Sequence, residues 1–247
     1  MTPFERQMEQ TLSSIKNNLN NAHKSCLPFI DLTRLDHDAT AADIETLALI
    51  AEQHHMAAIC AFPEHLDFIS PEVHLKRATV INFPSGNDPQ AEILSTLEHI
   101  ATEHQVDEID YVFPYQVYLS GKQKEALKAC HDVSQACHQH QLTFKVILET
   151  GELPSHQMIY QLSCEIIQQG CDFLKTSTGK SEKGATLPAA YSMLMAIVNS
   201  NSPCGIKVSG GIKTPNEAVQ YMALAEQMLH RTLDPSFFRI GSSKILH

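Results

Sequence analysis

Two periodicities alternate along this chain. Short apolar runs rich in β-branched residues recur eight times: Pro28 to Leu32, Ala57 to Phe62, Arg77 to Phe83, Glu108 to Phe113, Thr143 to Glu149, Phe173 to Thr178, Gly205 to Ser209 and Phe237 to Gly241. Between them lie stretches whose apolar residues return every three or four positions, such as Ala41 to His54, Gln90 to Glu103, Gln123 to His138, Gln157 to Gln169, Pro188 to Val198 and Pro215 to Met228. Several of these open on Asp, Pro or Ser at first-turn positions. Strand-then-helix alternation implies parallel pairing through right-handed crossovers, and eight such units are the number that closes a barrel. The expected fold is therefore α/β, a (β/α)8 barrel, with a doubly wound open sheet as the structural alternative. Ahead of the first strand, Phe4, Met8, Leu12, Ile15 and Leu19 share one helical face. Residues 1–26 are expected to form an extra N-terminal helix covering the barrel floor. With no linker, repeat or low-complexity tract, 1–247 reads as a single domain.

Composition removes several function classes. No apolar run approaches the roughly 20 residues that span a bilayer, and the N-terminus lacks a secretory core, so a soluble, cytoplasmic protein with no membrane partner is expected. A formal charge of −10 without a Lys/Arg cluster argues against nucleic acid, whose phosphates demand concentrated positive charge. The 7 cysteines are scattered without a CxxC pair, which suits reduced thiols, most of them in the core, rather than disulfides or structural zinc. Cys130, His131, Cys137, His138 and His140 crowd one helical stretch, but their spacing matches no ligand pattern and reads as a solvated face. No metal and no cofactor are expected.

Charged residues stand where such strands should carry Val or Ile: Asp110, Lys145, Glu149, Lys175 and Lys207. Period-two alternation puts Lys175 with Ser177, and Lys207 with Ser209, on one face of their strands, while Leu174 and Val208 take the opposite, helix-facing side. The lysines then point into the barrel, where an ammonium is costly unless paired, neutralised or used. A purely structural alternative is an interior Lys145–Glu149 ion pair, or a lysine snorkelling from a barrel mouth. Two close ammonium groups repel, so one becomes a neutral, nucleophilic amine near neutral pH, as Schiff-base chemistry requires. A second signal is phosphate chemistry. Thr176, Ser177, Thr178, Gly179 and Lys180, then Ser209, Gly210 and Gly211, then Gly241, Ser242 and Ser243 follow successive late strands. Glycine lets backbone N–H groups approach an anion, and the last loops of such barrels often hold phosphate.

At these residues the chain resembles the deoxyribose-phosphate aldolases, from Asp31 to about Leu246. The resemblance rests on DLTRL (Asp31 to Leu35), NFPSGND (Asn82 to Asp88), DEIDYVFPY (Asp107 to Tyr115), KVILETGEL (Lys145 to Leu153) with DFLKTSTGK (Asp172 to Lys180), and GIKVSGGI (Gly205 to Ile212). It implies that Lys175 forms the imine, that Lys207 is the second lysine depressing its pKa, and that Asp110 is an acid/base working through water. Thr33 and Cys60 correspond to pocket-lining positions, and Asp31 to a member of the inner hydrogen-bonded network. Thr178 and Gly241 fall with the substrate-binding residues, and Gly179, Lys180, Gly210, Gly211, Ser242 and Ser243 with those holding the phosphate.

The implied reaction is reversible, metal-independent cleavage of 2-deoxy-D-ribose 5-phosphate to D-glyceraldehyde 3-phosphate and acetaldehyde in deoxyribonucleotide breakdown. The family commonly forms homodimers, which leaves a homodimer open here. Alternatives are a Schiff-base aldolase for another phosphorylated sugar and a non-catalytic phosphosugar-binding barrel. Relatives often continue past the eighth strand into a helix and a tail ending in tyrosine, whereas this chain stops at Leu246 and His247. A truncated final helix and slow protonation of the enamine are expected from that.

Overall fold

The computed structural model describes residues 2–18 and 25–244. Eight parallel strands close on themselves in chain order: β1 (Ile30–Arg34), β2 (Ala58–Ala61), β3 (Lys76–Ile81), β4 (Glu108–Val112), β5 (Thr143–Ile147), β6 (Phe173–Lys175), β7 (Gly205–Ser209) and β8 (Phe238–Ser242), with β8 pairing back onto β1. The closed order excludes the open sheet. Around the barrel run α2 (Ala41–Gln53), α3 (Gln90–Glu103), α4 (Tyr115–Leu119), α5 (Gln123–Gln139), α6 (His156–Gln168), α7 (Leu187–Ser200) and α8 (Pro215–Leu229), preceded in the chain by α1 (Pro3–Asn18).

Local chemistry sets these boundaries. Thr40 and Thr214 head α2 and α8 with reciprocal capping boxes to Asp43 and Glu217. Pro215 then stands at the first helical position, where its missing N–H costs nothing. Thr214→Ala is expected to lower stability by about 1 kcal/mol; a urea midpoint unchanged at constant slope would contradict this. The first strand begins at Ile30 rather than Pro28 because Leu27–Phe29 forms a 3₁₀ turn. The fifth stops at Ile147, two residues before Glu149 enters the left-handed region at φ +50. The sixth stops at Lys175, short of Thr178. The β2 crossover carries a 3₁₀ turn over Pro63–Phe68 and no α-helix, so the alternation is not strict.

The N-terminal helix forms, but not over the barrel floor. Met8 and Ile15 are buried and Phe4 and Leu12 half-buried, with α1 packed on α7 and α8 in an outer layer. Phe4 meets Tyr160 of α6 and Tyr191 of α7 edge-on or tilted, and Ser14 bonds Gln227 of α8. The reason lies in α7, which is apolar nearly all round and buries Ala189 through Leu194, Ala196 and Ile197. Such a helix needs cover on two faces, and the sheet supplies one. Leu19 and the shortened final helix lie outside the described residues.

Cys130 and Cys137 face the core rather than solvent. Their neighbours on α5 do reach outward: His138 sits 3.1 Å from Asp172, and His140, just beyond the helix, 2.8 Å from Glu98.

Candidate active site

Strand register brings the interior charges together. Asp110 on β4 stands opposite Lys145 on β5, and Lys175 on β6 opposite Lys207 on β7, which stands opposite Arg239 on β8. Alternation sends Ile109, Tyr111, Leu174 and Val208 into the apolar core between sheet and helices. Gly241 makes room on β8: a Cβ there would lie 3.3 Å from Lys207 Cε and 2.9 Å from Ser209 Cβ.

The result is one continuous network. Asp110 Oδ2 accepts from Lys175 Nζ at 2.6 Å and Lys207 Nζ at 2.7 Å, and its Oδ1 from Lys145 Nζ at 3.0 Å. Lys145 also donates to Glu108 Oε2 at 2.6 Å. Lys207 pairs with Asp31 Oδ2 at 2.6 Å. Arg239 closes the ring, donating to Asp31 Oδ1 at 2.7 Å and Glu108 Oε1 at 3.0 Å. Asp31, Glu108 and Asp110 thus face Lys145, Lys207, Arg239 and Lys175: three carboxylates and four basic groups, all buried. Buried charge is tolerated when balanced, and balance requires one base to be neutral.

The surroundings select Lys175. Burial pushes its ammonium below the ordinary lysine range against the pull of Asp110, and the Lys207 cation pushes the same way. Lys207 and Lys145 are held above that range, in spite of burial, by the carboxylates around them. Asp110 is held well below the usual carboxylate range because the Lys145 and Lys207 cations, with the hydrogen bond from Lys175, overcome its desolvation. Asp31 is lowered similarly, by Lys207 and Arg239. A neutral Lys175 amine can still donate N–H to Asp110, so this contact does not by itself require the ammonium form.

Above the network opens a cleft of about 270 Å³, and Lys175 is the one of the four bases that borders it among the described residues. Thr33, Thr178, Gly179, Lys180, Gly210, Gly211, Gly241, Ser242 and Ser243 all line it. Asp31 and Cys60 do not: both are fully buried, Asp31 in the charge ring and Cys60 packed with Leu35, Phe62, Ala78 and Val80. Burial also pushes the Cys60 thiol up, which keeps it protonated.

At one end of the cleft Gly179, Gly210 and Gly211 adopt φ of +78, +90 and +86, a region open to glycine without strain. Lys180 reaches across the mouth, its Nζ donating to the Leu35 carbonyl at 2.8 Å and lying 3.8 Å from Asp36. The Ser242 hydroxyl is engaged, donating to the Ile212 carbonyl at 2.7 Å. Ser177, one alternation beyond Lys175, is buried with no partner for its hydroxyl among the described residues. The interior Lys145–Glu149 pair does not form. Glu149 instead accepts from the Thr178 and Ser181 hydroxyls and fastens the β6 loop.

Arg239 and Glu108 are absent from the candidates the sequence picks out, although both obey the signal that marks the lysines, a charge inside an apolar strand. Arg34, the last residue of β1, and Lys213, in the loop after β7, line the cleft rim, where a charge stands out less.

Comparison with known proteins gives consistent matches. A family model described as DeoC/LacD family aldolase matches residues 25–230. A deoxyribose-phosphate aldolase from Agrobacterium fabrum is 40% identical over 227 residues, 89% of this chain and 87% of that protein. Among solved structures, the tetrameric deoxyribose phosphate aldolase from Aeropyrum pernix superposes with a TM-score of 0.75 at 21% identity, covering 96% of this chain and 93% of its own. An aldolase called QR15 gives 0.75 at 24% identity, covering 88% and 91%.

Proposed function

Since the chain belongs to the DeoC/LacD aldolase family, we propose that it cleaves 2-deoxy-D-ribose 5-phosphate reversibly to D-glyceraldehyde 3-phosphate and acetaldehyde, through a Schiff base on Lys175. The observation that carries this reading is the position of Lys175. It alone among the four interior bases borders the cleft, with its ammonium form disfavoured by burial.

Neutral Lys175 adds to the aldehyde carbon of the sugar. Loss of water from the carbinolamine leaves a protonated imine, an electron sink that weakens the neighbouring carbon–carbon bond. Asp110, acting through a water molecule, accepts the hydroxyl proton as glyceraldehyde phosphate departs and shuttles protons during dehydration. Lys207 stays cationic between Asp31 and Asp110, which keeps Asp110 ionised and Lys175 unprotonated. The enamine on Lys175 then takes a proton at its terminal carbon, and hydrolysis frees acetaldehyde. The imine supplies the electron withdrawal that a Lewis acid would otherwise supply.

The phosphate is assigned to the glycine-lined end, where the Gly179, Gly210 and Gly211 backbone, Ser242, Ser243 and Lys180 converge. Lys180 would exchange its carbonyl contact for the phosphate. Binding energy from this remote group serves to hold the reacting carbonyl at Lys175.

Borohydride added with acetaldehyde is expected to leave a stable adduct on Lys175, read by mass spectrometry of peptides. An adduct on Lys145 or Lys207, or none on protein that turns over substrate, would contradict the assignment. Chelators are expected to leave turnover unchanged, and unphosphorylated deoxyribose to be a poor substrate; equal turnover of the two sugars would remove the phosphate site. A homodimer, a cytoplasmic location and a place in deoxyribonucleotide breakdown belong to the same proposal. No described helix is long and apolar enough to cross a membrane.

A further inference from the structure

Beneath the lysines, the Arg239 guanidinium spans the barrel interior. Its Nη1 binds Asp31 of β1, its Nη2 binds Glu108 of β4 on the opposite wall, and its Nε bonds the Pro235 carbonyl. Each of its three nitrogens is thus engaged, and the group stacks no closer than 5.9 Å to the Phe173 ring. Neither Arg239 nor Glu108 borders the cleft, so neither touches substrate. Each is one contact removed from a group that does the chemistry: Arg239 reaches Lys207 through Asp31, and Glu108 reaches Asp110 through Lys145.

We propose that Arg239 and Glu108 are positioning residues that set the charge balance of the barrel interior, and through it the protonation state of Lys175. This rests on the Schiff-base reading of Lys175 given above. With Arg239 present, three carboxylates meet three permanent cations, and the fourth base can be neutral at no electrostatic cost. Remove the guanidinium and the ring carries an excess negative charge, which favours a protonated Lys175. Remove the Glu108 carboxylate and the ring carries an excess positive charge, which a protonated Lys175 would worsen. The two changes therefore act on Lys175 in opposite directions.

Every wall that faces Lys175 enters this balance. Asp31 comes from β1, the protonated Cys60 thiol from β2, Glu108 and Asp110 from β4, Lys145 from β5 with Glu149 just beyond it, Lys207 from β7 and Arg239 from β8. The β3 strand contributes apolar Ala78 and Val80 and, at the floor beside Glu108 and Arg239, an exposed Lys76 paired with Asp107. Arg34, Lys180 and Lys213 stand at the cleft rim, where water screens them. Arg239 and Glu108 can be changed without removing a group that touches Asp110, Lys175 or Lys207.

The test is the pH dependence of borohydride trapping at Lys175, with acetaldehyde as the probe and the adduct quantified by mass spectrometry. In Arg239→Met the trapping profile is expected to move upward by about one pH unit, with trapping near pH 7 falling about tenfold. In Arg239→Lys the charge is restored and the profile returns most of the way. In Glu108→Gln the profile is expected to move downward. Opposite displacements are a signature that general loosening of the barrel does not produce. Profiles that keep their position while the amplitude falls, or that move in the same direction in Arg239→Met and Glu108→Gln, overturn the proposal. Should Arg239→Met not fold, Glu108→Gln decides: a profile moved downward supports the balance and an unmoved profile refutes it. Wild-type protein that yields no Lys175 adduct overturns the Schiff-base reading itself, whereas wild-type adduct with unmoved variant profiles overturns this inference alone.

Discussion

Lys175→Met is expected to abolish carbon–carbon cleavage, lowering kcat/KM by at least about 10³-fold while leaving the protein folded. Both halves of that expectation follow from the charge ring. Replacing an interior lysine ordinarily strands its partner, and an unpaired buried carboxylate costs about 3–5 kcal/mol. Asp110 is not stranded here, because Lys207 and Lys145 still donate to it at 2.7 Å and 3.0 Å. With Lys175 gone, Asp31, Glu108 and Asp110 face Lys145, Lys207 and Arg239, three against three. A methionine of similar length fills the space, so thermal stability should change by less than about 1.5 kcal/mol. Activity and stability are therefore expected to separate. Residual activity near wild type would remove Lys175 from the nucleophile's role, and a large fall in melting temperature would refute the idea that the ring balances without it.

The interior charges are legible in the sequence. A strand core selects Val, Ile and Leu, so Lys145, Lys175, Lys207 and Asp110 stand out against it, and alternation says which way they point. Arg239 follows the same rule in FRIGS and Glu108 in EIDYV, yet each sits at the first or second residue of its strand, where a charge is easily taken for a solvated strand end. The barrel was legible because its two periodicities alternate over most of the chain. The N-terminal helix was legible as a helix, but its place was not. An apolar stripe states that a face is covered without naming what covers it, and the outer face of α7 is fixed only once the barrel has closed. Glu149 failed differently. Strand alternation does not carry through a residue whose backbone turns left-handed, and that turn takes its carboxylate away from Lys145 to Thr178 and Ser181. Asp31 lies on an inward position of its strand but two residues before cleft-lining Thr33, a difference in depth that alternation cannot express.

Lys207→Leu is expected to move the pH optimum of cleavage upward and to lower the rate at neutral pH by more than about tenfold. The sign follows from the contacts. Lys207 is a cation next to Lys175, so its field favours the neutral amine there, and removing it lets Lys175 hold its proton to higher pH. Asp110 acts in the same direction, since losing a donor 2.7 Å from Oδ2 leaves more of its negative charge to attract the Lys175 ammonium. A raised pKa means that fewer molecules carry the nucleophilic amine at pH 7, about tenfold fewer when the pKa rises by one. Unlike Lys175→Met, this variant unbalances the ring, because Asp31 and Asp110 both lose a partner. Stability should fall by about 3–5 kcal/mol unless Lys175 becomes protonated in compensation. Protonation of Lys175 is thus what rescues the fold and what stops the reaction. The discriminating measurement is rate and melting temperature followed together across pH. As pH rises through the raised Lys175 pKa, the variant should gain rate because deprotonation restores the nucleophile. Melting temperature should rise with it while that pKa stays below the ordinary lysine value, since the unfolded chain then holds the extra proton, and should fall only if the pKa has passed above that value. A profile that keeps its wild-type position, with a rate that stays low at every pH, would show that Lys207 acts on the reaction by some route other than the charge state of Lys175.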